Sequence, residues 1–230
     1  MIIKRAVSVY FKYFILSLTI IYLTGCAGTY IPQTPYEESG YAAHIAADRG
    51  DFITAEENYT RAAEIAKADN LGPKLESESL YNLGRIKKKL GKLNEGEEVL
   101  KKSLEIEEKL SGPSSLKTGR RMVELAIVYY YKTKLSQDEI QNELSQAEIN
   151  KKLNHIEIIY LQTALNESEN RLEDGVALLK KLMPFAQAFY GGERATIAQI
   201  YIIYSEELTK INQIELAQQF KAEAEKLGLR

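Results

Sequence analysis

Five short turn signals divide most of the chain into segments of similar length. They are Arg49-Gly50-Asp51-Phe52, Leu90-Gly91-Lys92-Leu93, Thr133-Lys134-Leu135, Asn170-Arg171-Leu172 and Asn212-Gln213-Ile214. The apolar residues that close them lie 41, 42, 37 and 42 positions apart. A recurring period of this length is typical of proteins built from stacked helical repeats.

The segments between the turns have a helical composition. From residue 36 onward they are rich in Ala, Leu, Glu, Lys and Gln, with apolar residues at three- and four-residue spacing. A small residue follows four of the turns by three positions, where it would let two antiparallel helices approach closely: Ala55, Gly96, Gly175 and Ala217. We therefore predict an all-α solenoid of antiparallel helix pairs, with about five repeats over residues 36–230. The alternative is an irregular helical bundle with accidental spacing.

These residues resemble the tetratricopeptide repeat. The second unit fits its pattern best, through Leu80, Leu83-Gly84, Gly91, Leu93, Gly96, Leu100 and Ser103. The first unit supplies Gly50-Asp51-Phe52, Ala55, Tyr59 and Ala62, whereas the third departs from the pattern by placing Asp138 where a small residue belongs. A period near 42 residues, with a Gly-Pro turn at Gly112-Pro113, is similar to the longer repeat of kinesin light chains.

The first 26 residues resemble a bacterial lipoprotein signal. Lys4, Arg5 and Lys12 precede an apolar run, which closes on Leu23-Thr24-Gly25-Cys26. We predict a signal peptide over residues 1–25, a lipidated linker over 26–35 that begins at Cys26, and the repeat domain over 36–230. The alternative is an uncleaved anchor across residues 6–23, but Lys12 would cost about 2.5–3.5 kcal/mol near the bilayer centre.

The chain is poorly supplied with catalytic or metal-binding residues. It has one Cys, which lipidation would consume, and two His far apart, His44 and His155. Phosphate-binding, serine-hydrolase and kinase signatures are missing from the sequence. We expect no enzymatic activity, no metal and no cofactor. A net charge of −2 gives no electrostatic reason to expect a nucleic-acid partner.

Two enrichments point to a binding surface. The resemblance implies that Tyr81, Arg85, Lys88, Tyr130 and Tyr131 line a concave peptide-binding groove. Because three consecutive helical residues span about 200°, at least one member of Tyr129-Tyr130-Tyr131 must face outward. Aromatic anchors beside positive charge would suit an envelope protein or peptide with acidic and apolar residues.

The basic residues around this groove have three interpretations. The run comprises Arg85, Lys87, Lys88, Lys89, Lys92, Lys101 and Lys102. It could form a solvated face, contact anionic lipid headgroups beside the anchor, or bind an acidic peptide.

The predicted function is that of a membrane-anchored, non-enzymatic scaffold in the bacterial cell envelope. The alternative is an envelope enzyme of peptidoglycan, or its cofactor protein, which a buried pair of acids in a pocket would favour. Ala27 after the Cys resembles an outer-membrane sorting signal, so we expect the protein to face the periplasm from the outer membrane in an organism with two membranes.

The anchor prediction is tested by Cys26→Ser. An oxygen cannot replace the acceptor thiol, so the variant should lose acylation and signal cleavage together. Mass spectrometry of the membrane fraction measures both modifications. Wild-type protein that retains Met1 in that fraction would contradict the prediction.

Overall fold

The computed structural model describes residues 31–150 and 171–228, and a compact helical unit begins at Pro35. The described residues contain helices and turns and no strand. The helices are α1 Pro35–Asp48, α2 Phe52–Ala68, α3 Pro73–Lys89, α4 Leu93–Ser111, α5 Leu116–Asn150, α6 at residues 171–182, α7 Gly191–Lys210 and α8 Ile214–Lys226; a 3-10 helix, Met183–Ala188, follows α6. Successive helices pack on one another, which confirms the predicted all-α solenoid.

Three predicted turns end their helices with the same hydrogen bond. The backbone N–H of Asp51 donates to the carbonyl of Ala46 at 2.9 Å, and that of Lys92 donates to Lys87 at 2.9 Å. In the last turn Gln213 donates to Leu208 at 2.8 Å. Each bond spans a residue with positive φ, namely Gly50, Gly91 or Asn212. Gly and Asn tolerate this left-handed conformation, so the sequence specifies where these helices end.

The turn predicted at Thr133-Lys134-Leu135 is wrong. Helix α5 continues through these residues to Asn150. None of the three is Gly, Asn or Pro, so nothing there favours a left-handed residue or removes a backbone donor. Thr133 is fully buried, and its hydroxyl donates to the carbonyl of Tyr129 at 2.9 Å, one turn earlier in the same helix.

Helix α6 is therefore the second helix of the third pair. Its Leu172 and Gly175, which the sequence assigned to a separate unit, are buried. Gly175 lies against Tyr204 of α7, whose hydroxyl donates to the carbonyl of Ala126 in α5 at 2.8 Å. The described part of the chain forms four helix pairs, one fewer than the five or so repeats predicted, because α6 completes the third pair. Residues 135–170 are inserted within that pair.

Small residues lie at the close helix contacts, as predicted. Ala55 and Ala217 are 0% and 3% exposed, and Gly96 is buried against α3. At Gly175 there is no room even for a methyl group, because a Cβ would lie 1.9 Å from the Tyr204 hydroxyl oxygen. At each of these contacts, the small residue allows the two helices to approach closely.

Two buried carboxylates bind cationic residues that flank the inserted segment. Glu97 of α4 accepts hydrogen bonds from Lys132 of α5 at 2.5 Å and from Arg171 of α6 at 2.9 Å. On the opposite side of α5, Lys134 pairs with Glu207 of α7 at 2.9 Å. Residues 132 and 171 are therefore fixed beside the same carboxylate, although the insertion separates them in sequence.

The close packing of Gly175 is tested by substitution with Ala. The added methyl group must displace Tyr204, so Gly175→Ala should lower the free energy of unfolding by about 1–3 kcal/mol. Gly40→Ala is the matched control, because Gly40 lies within α1 and a Cβ there meets nothing within 4 Å. It should raise stability by about 0.5–1 kcal/mol. Equal effects in urea denaturation would refute the packing of α6 on α7.

The hydrogen bonds that Glu97 accepts from Lys101, Lys132 and Arg171 predict that the stability of the fold depends on pH. Burial alone would raise the pKa of Glu97, but the hydrogen bonds from Lys101 and Lys132 outweigh it and hold the pKa below its ordinary value of 4.5. Such a group stabilises the fold above pH 4.5, and the contribution is lost as pH falls through the lowered pKa.

Glu97→Gln should therefore lower the free energy of unfolding at pH 7 by about 1–3 kcal/mol. The difference from wild type should shrink as the pH falls below 4.5, measured by denaturant titration at each pH. Glu105→Gln is the control, because Glu105 and its partner Lys109 are exposed. A Glu97→Gln deficit that stayed constant down to pH 3 would contradict this account.

Candidate interaction groove

The first helices of three successive pairs line an open cavity of about 430 Å³, which we call the central cavity. Its lining residues recur at three- and four-residue spacing, so each helix presents one face to it. The lining residues are Glu78, Tyr81, Asn82 and Arg85 of α3, Arg120, Val123 and Glu124 of α5, and Gly192, Glu193, Thr196 and Ile197 of α7. Phe189, which precedes α7, completes the lining. A concave site of this size, with apolar and polar walls, has the dimensions of a ligand-binding cleft.

Tyr81 lies between two guanidinium groups at the wall of the central cavity. The Arg85 guanidinium carbon is 5.5 Å from the centre of the Tyr81 ring, and that of Arg121 is 4.9 Å away. Burial, with a further contribution from the charge of Glu124, raises the pKa of Tyr81 to about 12. Its hydroxyl therefore stays protonated at neutral pH and can donate a hydrogen bond.

Arg121 lies beneath Tyr81 and is 1% exposed. Its Nε donates to Ser77 Oγ at 3.1 Å and to Ser103 Oγ at 2.8 Å, and its Nη1 donates to the Lys117 carbonyl at 2.9 Å. The Nη2 group lies 3.0 Å from the buried carboxylate of Glu107. Because these partners belong to α3, α4 and α5, the guanidinium fixes the three helices relative to one another.

Ion pairs cross the central cavity between neighbouring first helices. Arg120 of α5 binds Glu193 of α7 with two hydrogen bonds, from Nε at 2.5 Å and from Nη2 at 3.1 Å. Arg85 and Lys88 of α3 both pair with Glu124 of α5, Arg85 at 3.3 Å. The cations at this site already have carboxylate partners within the chain.

The predicted groove residues occupy two different places. Tyr81 and Arg85 line the central cavity, and Lys88 adjoins them through Glu124. Tyr130 and Tyr131 are not among its lining residues. The Tyr130 ring lies 6.4 Å from that of Tyr204 and 5.8 Å from that of Tyr131, and Tyr131 is 47% exposed. One tyrosine of the triplet, Tyr131, does face outward, as predicted. It lies about two turns along α5 from Glu124, the nearest lining residue of the central cavity.

The basic run forms contacts within the repeat. Lys87 of α3 and Lys92, directly before α4, pair with Glu56 of α2 at 2.8 and 2.7 Å. Others pair with carboxylates or a ring: Lys101 with Glu97, Lys102 with Glu76, and Lys89 with the face of Phe52. The run therefore links neighbouring helices, a role that none of the three interpretations from sequence included.

Sequence reasoning missed the α5 and α7 side of the central cavity. Arg120 and Glu193 are 73 positions apart, and no local pattern joins them. A signal was available in the register of the repeat. Extending the three- and four-residue spacing of the α3 lining residues to the other first helices would have selected Arg120, Val123 and Glu124.

The buried carboxylates of Glu97 and Glu207 do not have the properties of a general acid. Burial alone would raise the pKa of Glu207, but hydrogen bonds from Lys210 and Lys134 outweigh it and lower the pKa, as at Glu97. A general acid at neutral pH needs a raised pKa. Within the described residues no cluster of three His, Cys, Asp or Glu could hold a metal ion. Of the two histidines, His44 pairs with Asp48 at 3.0 Å on an exposed face, and His155 lies outside the described residues.

Comparisons with known proteins agree with the repeat architecture. Residues 75–137, which span α3, α4 and the start of α5, match the tetratricopeptide repeat family. A search of curated protein sequences finds no match. The crystal structure of BtubC (BKLC) from P. vanneervenii has a similar fold, with a TM-score of 0.58 at 18% identity over 89% of this chain and 70% of that one. TPR-like repeats of a kinesin light chain type from Podosopora anserina give a TM-score of 0.41 at 17% identity, over 85% of this chain and 96% of that one. Residues 75–137 therefore match the tetratricopeptide repeat family, and the described helices on either side continue the same stacked architecture.

Proposed function

We propose that this protein is a membrane-anchored, non-enzymatic scaffold that binds a protein partner in the bacterial cell envelope. The observation that carries the binding role is the central cavity, which is open to solvent and lined by the first helices of three successive pairs. Tetratricopeptide repeats generally mediate protein–protein interactions, and stacked helix pairs offer an extended concave surface for them.

The walls of the central cavity suit a protein segment. Tyr81 supplies aromatic surface, while Asn82 and Thr196 add polar groups. Aromatic side chains within a partly desolvated site contribute much of the affinity in protein interfaces. Charged groups of both signs surround this surface, so a bound segment would meet apolar contact and specific charge together.

The membrane anchor in this proposal rests on Leu23-Thr24-Gly25-Cys26. Cys26 and the rest of residues 1–30 lie outside the described residues. No described helix combines the length and the apolar character that crossing a membrane requires. A lipid on Cys26 would keep the repeat close to the bilayer, because the linker to Pro35 is short.

Site-specific photocrosslinking in cells tests the binding role. A benzoylphenylalanine at Thr196, an exposed residue at the central cavity, should crosslink to a protein partner. The same group at Lys109, on an exposed face of α4, is the matched control and should not yield that product. Arg85→Ala should reduce the Thr196 product, because Arg85 lines the same cavity. Identical products from positions 196 and 109, or none from 196, would contradict the proposal.

The envelope location is tested in the same cells. Cys26→Ser should shift the protein out of its usual membrane fraction and reduce the Thr196 product if the partner is an envelope protein. A Thr196 product that is unchanged in both amount and cell fraction would remove the anchor from the proposed function while leaving the binding role.

A further inference from the structure

Opposite charges are in excess at the two ends of the α3 face that lines the central cavity. At one end two carboxylates, Glu78 and Glu107, share the single guanidinium of Arg121, at 3.4 and 3.0 Å. At the other end two cations, Arg85 and Lys88, share the single carboxylate of Glu124. The first cluster therefore has one surplus negative charge and the second has one surplus positive charge.

The groups that carry these surplus charges are accessible. The side chains of Glu78 and Arg85 are 52% and 45% exposed, whereas Glu107 and Arg121 are buried. Glu78 and Arg85 are seven residues apart on α3, so they share a face and are separated by about 10 Å along the helix. Tyr81 and Asn82 lie between them.

The third ion pair of the central cavity carries no surplus. Arg120 and Glu193 neutralise each other through two hydrogen bonds on the side facing α7. The accessible apolar surface between the charged ends comes from Tyr81, which packs on the buried core that includes Val123, Phe189 and Ile197 at the floor of the cavity. The site thus has a negative end, an apolar middle and a positive end.

Helix-dipole stabilisation does not account for this arrangement. Acidic residues favour the first turn of a helix and basic residues the last, and the effect fades within one turn. Glu78 is the sixth residue of α3, beyond its first turn, and Arg85 precedes the last four residues, which end at Lys89. A helix-stabilising role would not require either charge at its position.

We propose that the central cavity binds a peptide segment in which a bulky apolar residue lies between a basic and an acidic residue. The inference rests on the proposed binding function and specifies its partner. The basic residue faces Glu78, the apolar side chain contacts the Tyr81 ring, and the acidic residue faces Arg85 and Lys88. The ligand expected from sequence, a segment with acidic and apolar residues and no basic one, would meet repulsion at Glu78. Charge complementarity at the two ends would also fix the direction of the bound chain.

Synthetic peptides test the charge pattern. Fluorescein-labelled Gly/Ser peptides carry one central Phe, flanked by Lys then Glu, Glu then Lys, Glu twice or Lys twice, with the charged residues two to four positions apart. Binding to the full chain in detergent is measured by fluorescence polarisation. One of the two mixed orders should bind about three- to tenfold more tightly than either single-sign peptide. A peptide with Ala in place of Phe should lose most of this binding.

Two outcomes contradict different parts of the inference. If the doubly acidic or doubly basic peptide binds as tightly as the better mixed peptide, the charge pattern is wrong and the peptide-binding groove remains. If no peptide binds in a Phe-dependent manner, the peptide-binding function of the central cavity fails as well.

A charge exchange within α3 tests the residues directly. The double variant E78R/R85E keeps the net charge and should invert the preferred order of Lys and Glu in the peptide. The exchange E105K/K109E is the matched control, because this exposed pair lies on α4 away from the cavity, and it should keep the wild-type order. A cavity variant that folds, by circular dichroism, and keeps the wild-type order would overturn the assignment.

Single neutral substitutions keep the proposal testable if the exchange variant does not fold. Glu78→Gln should let the doubly acidic peptide bind about as well as the mixed one, since the repulsion at that end is removed. Arg85→Gln should weaken the preference for an acidic residue at the other end. Unchanged rankings in both variants would overturn the proposal.

Discussion

Arg121 is buried where α3, α4 and α5 meet, and the N–H groups of its guanidinium must find acceptors there. A buried charge without partners costs several kcal/mol, so this site can exist only if all three helices supply oxygen atoms in fixed positions. Ser77, Ser103 and Glu107 do so from α3 and α4. The guanidinium carbon of Arg121 also lies 4.9 Å from the centre of the Tyr81 ring. The position of Tyr81 in the wall of the central cavity therefore depends on the buried Arg121.

The ion pairs of the first three helix pairs show why a run of charge in sequence is a poor guide to a ligand site. Successive cations of α3 point to different sides of the helix and meet carboxylates on different neighbours. Lys87 reaches Glu56 of α2, whereas Lys88 reaches Glu124 of α5. What a ligand can use is the charge left over after this pairing, at Glu78 and at Arg85. This unpaired charge depends on how the helices are placed relative to one another, so the sequence of a single helix does not reveal it.

The sequence predicted the features that local chemistry determines. Gly50, Gly91 and Asn212 mark helix ends because left-handed residues are needed there, and Gly96 and Gly175 mark close helix contacts because larger side chains do not fit. Of the predicted groove residues, Tyr81 and Arg85 line the central cavity. The α5 and α7 walls were missed because contacts between residues far apart in sequence, such as Arg120 and Glu193, arise only from stacking.

The error at residues 133–135 has a physical cause that also explains how the third pair tolerates an insertion. A step of 42 residues from Leu93 leads to Leu135, but spacing alone cannot end a helix that lacks a Gly, Asn or Pro to interrupt it. The pair is completed later, by Leu172 and Gly175 of α6. Because Lys132 and Arg171 are held at the same carboxylate of Glu97, the described residues on either side of the insertion lie close together. Each repeat contacts only its neighbours. A segment whose two flanking residues lie close together can therefore be longer or shorter without changing the helix packing on either side.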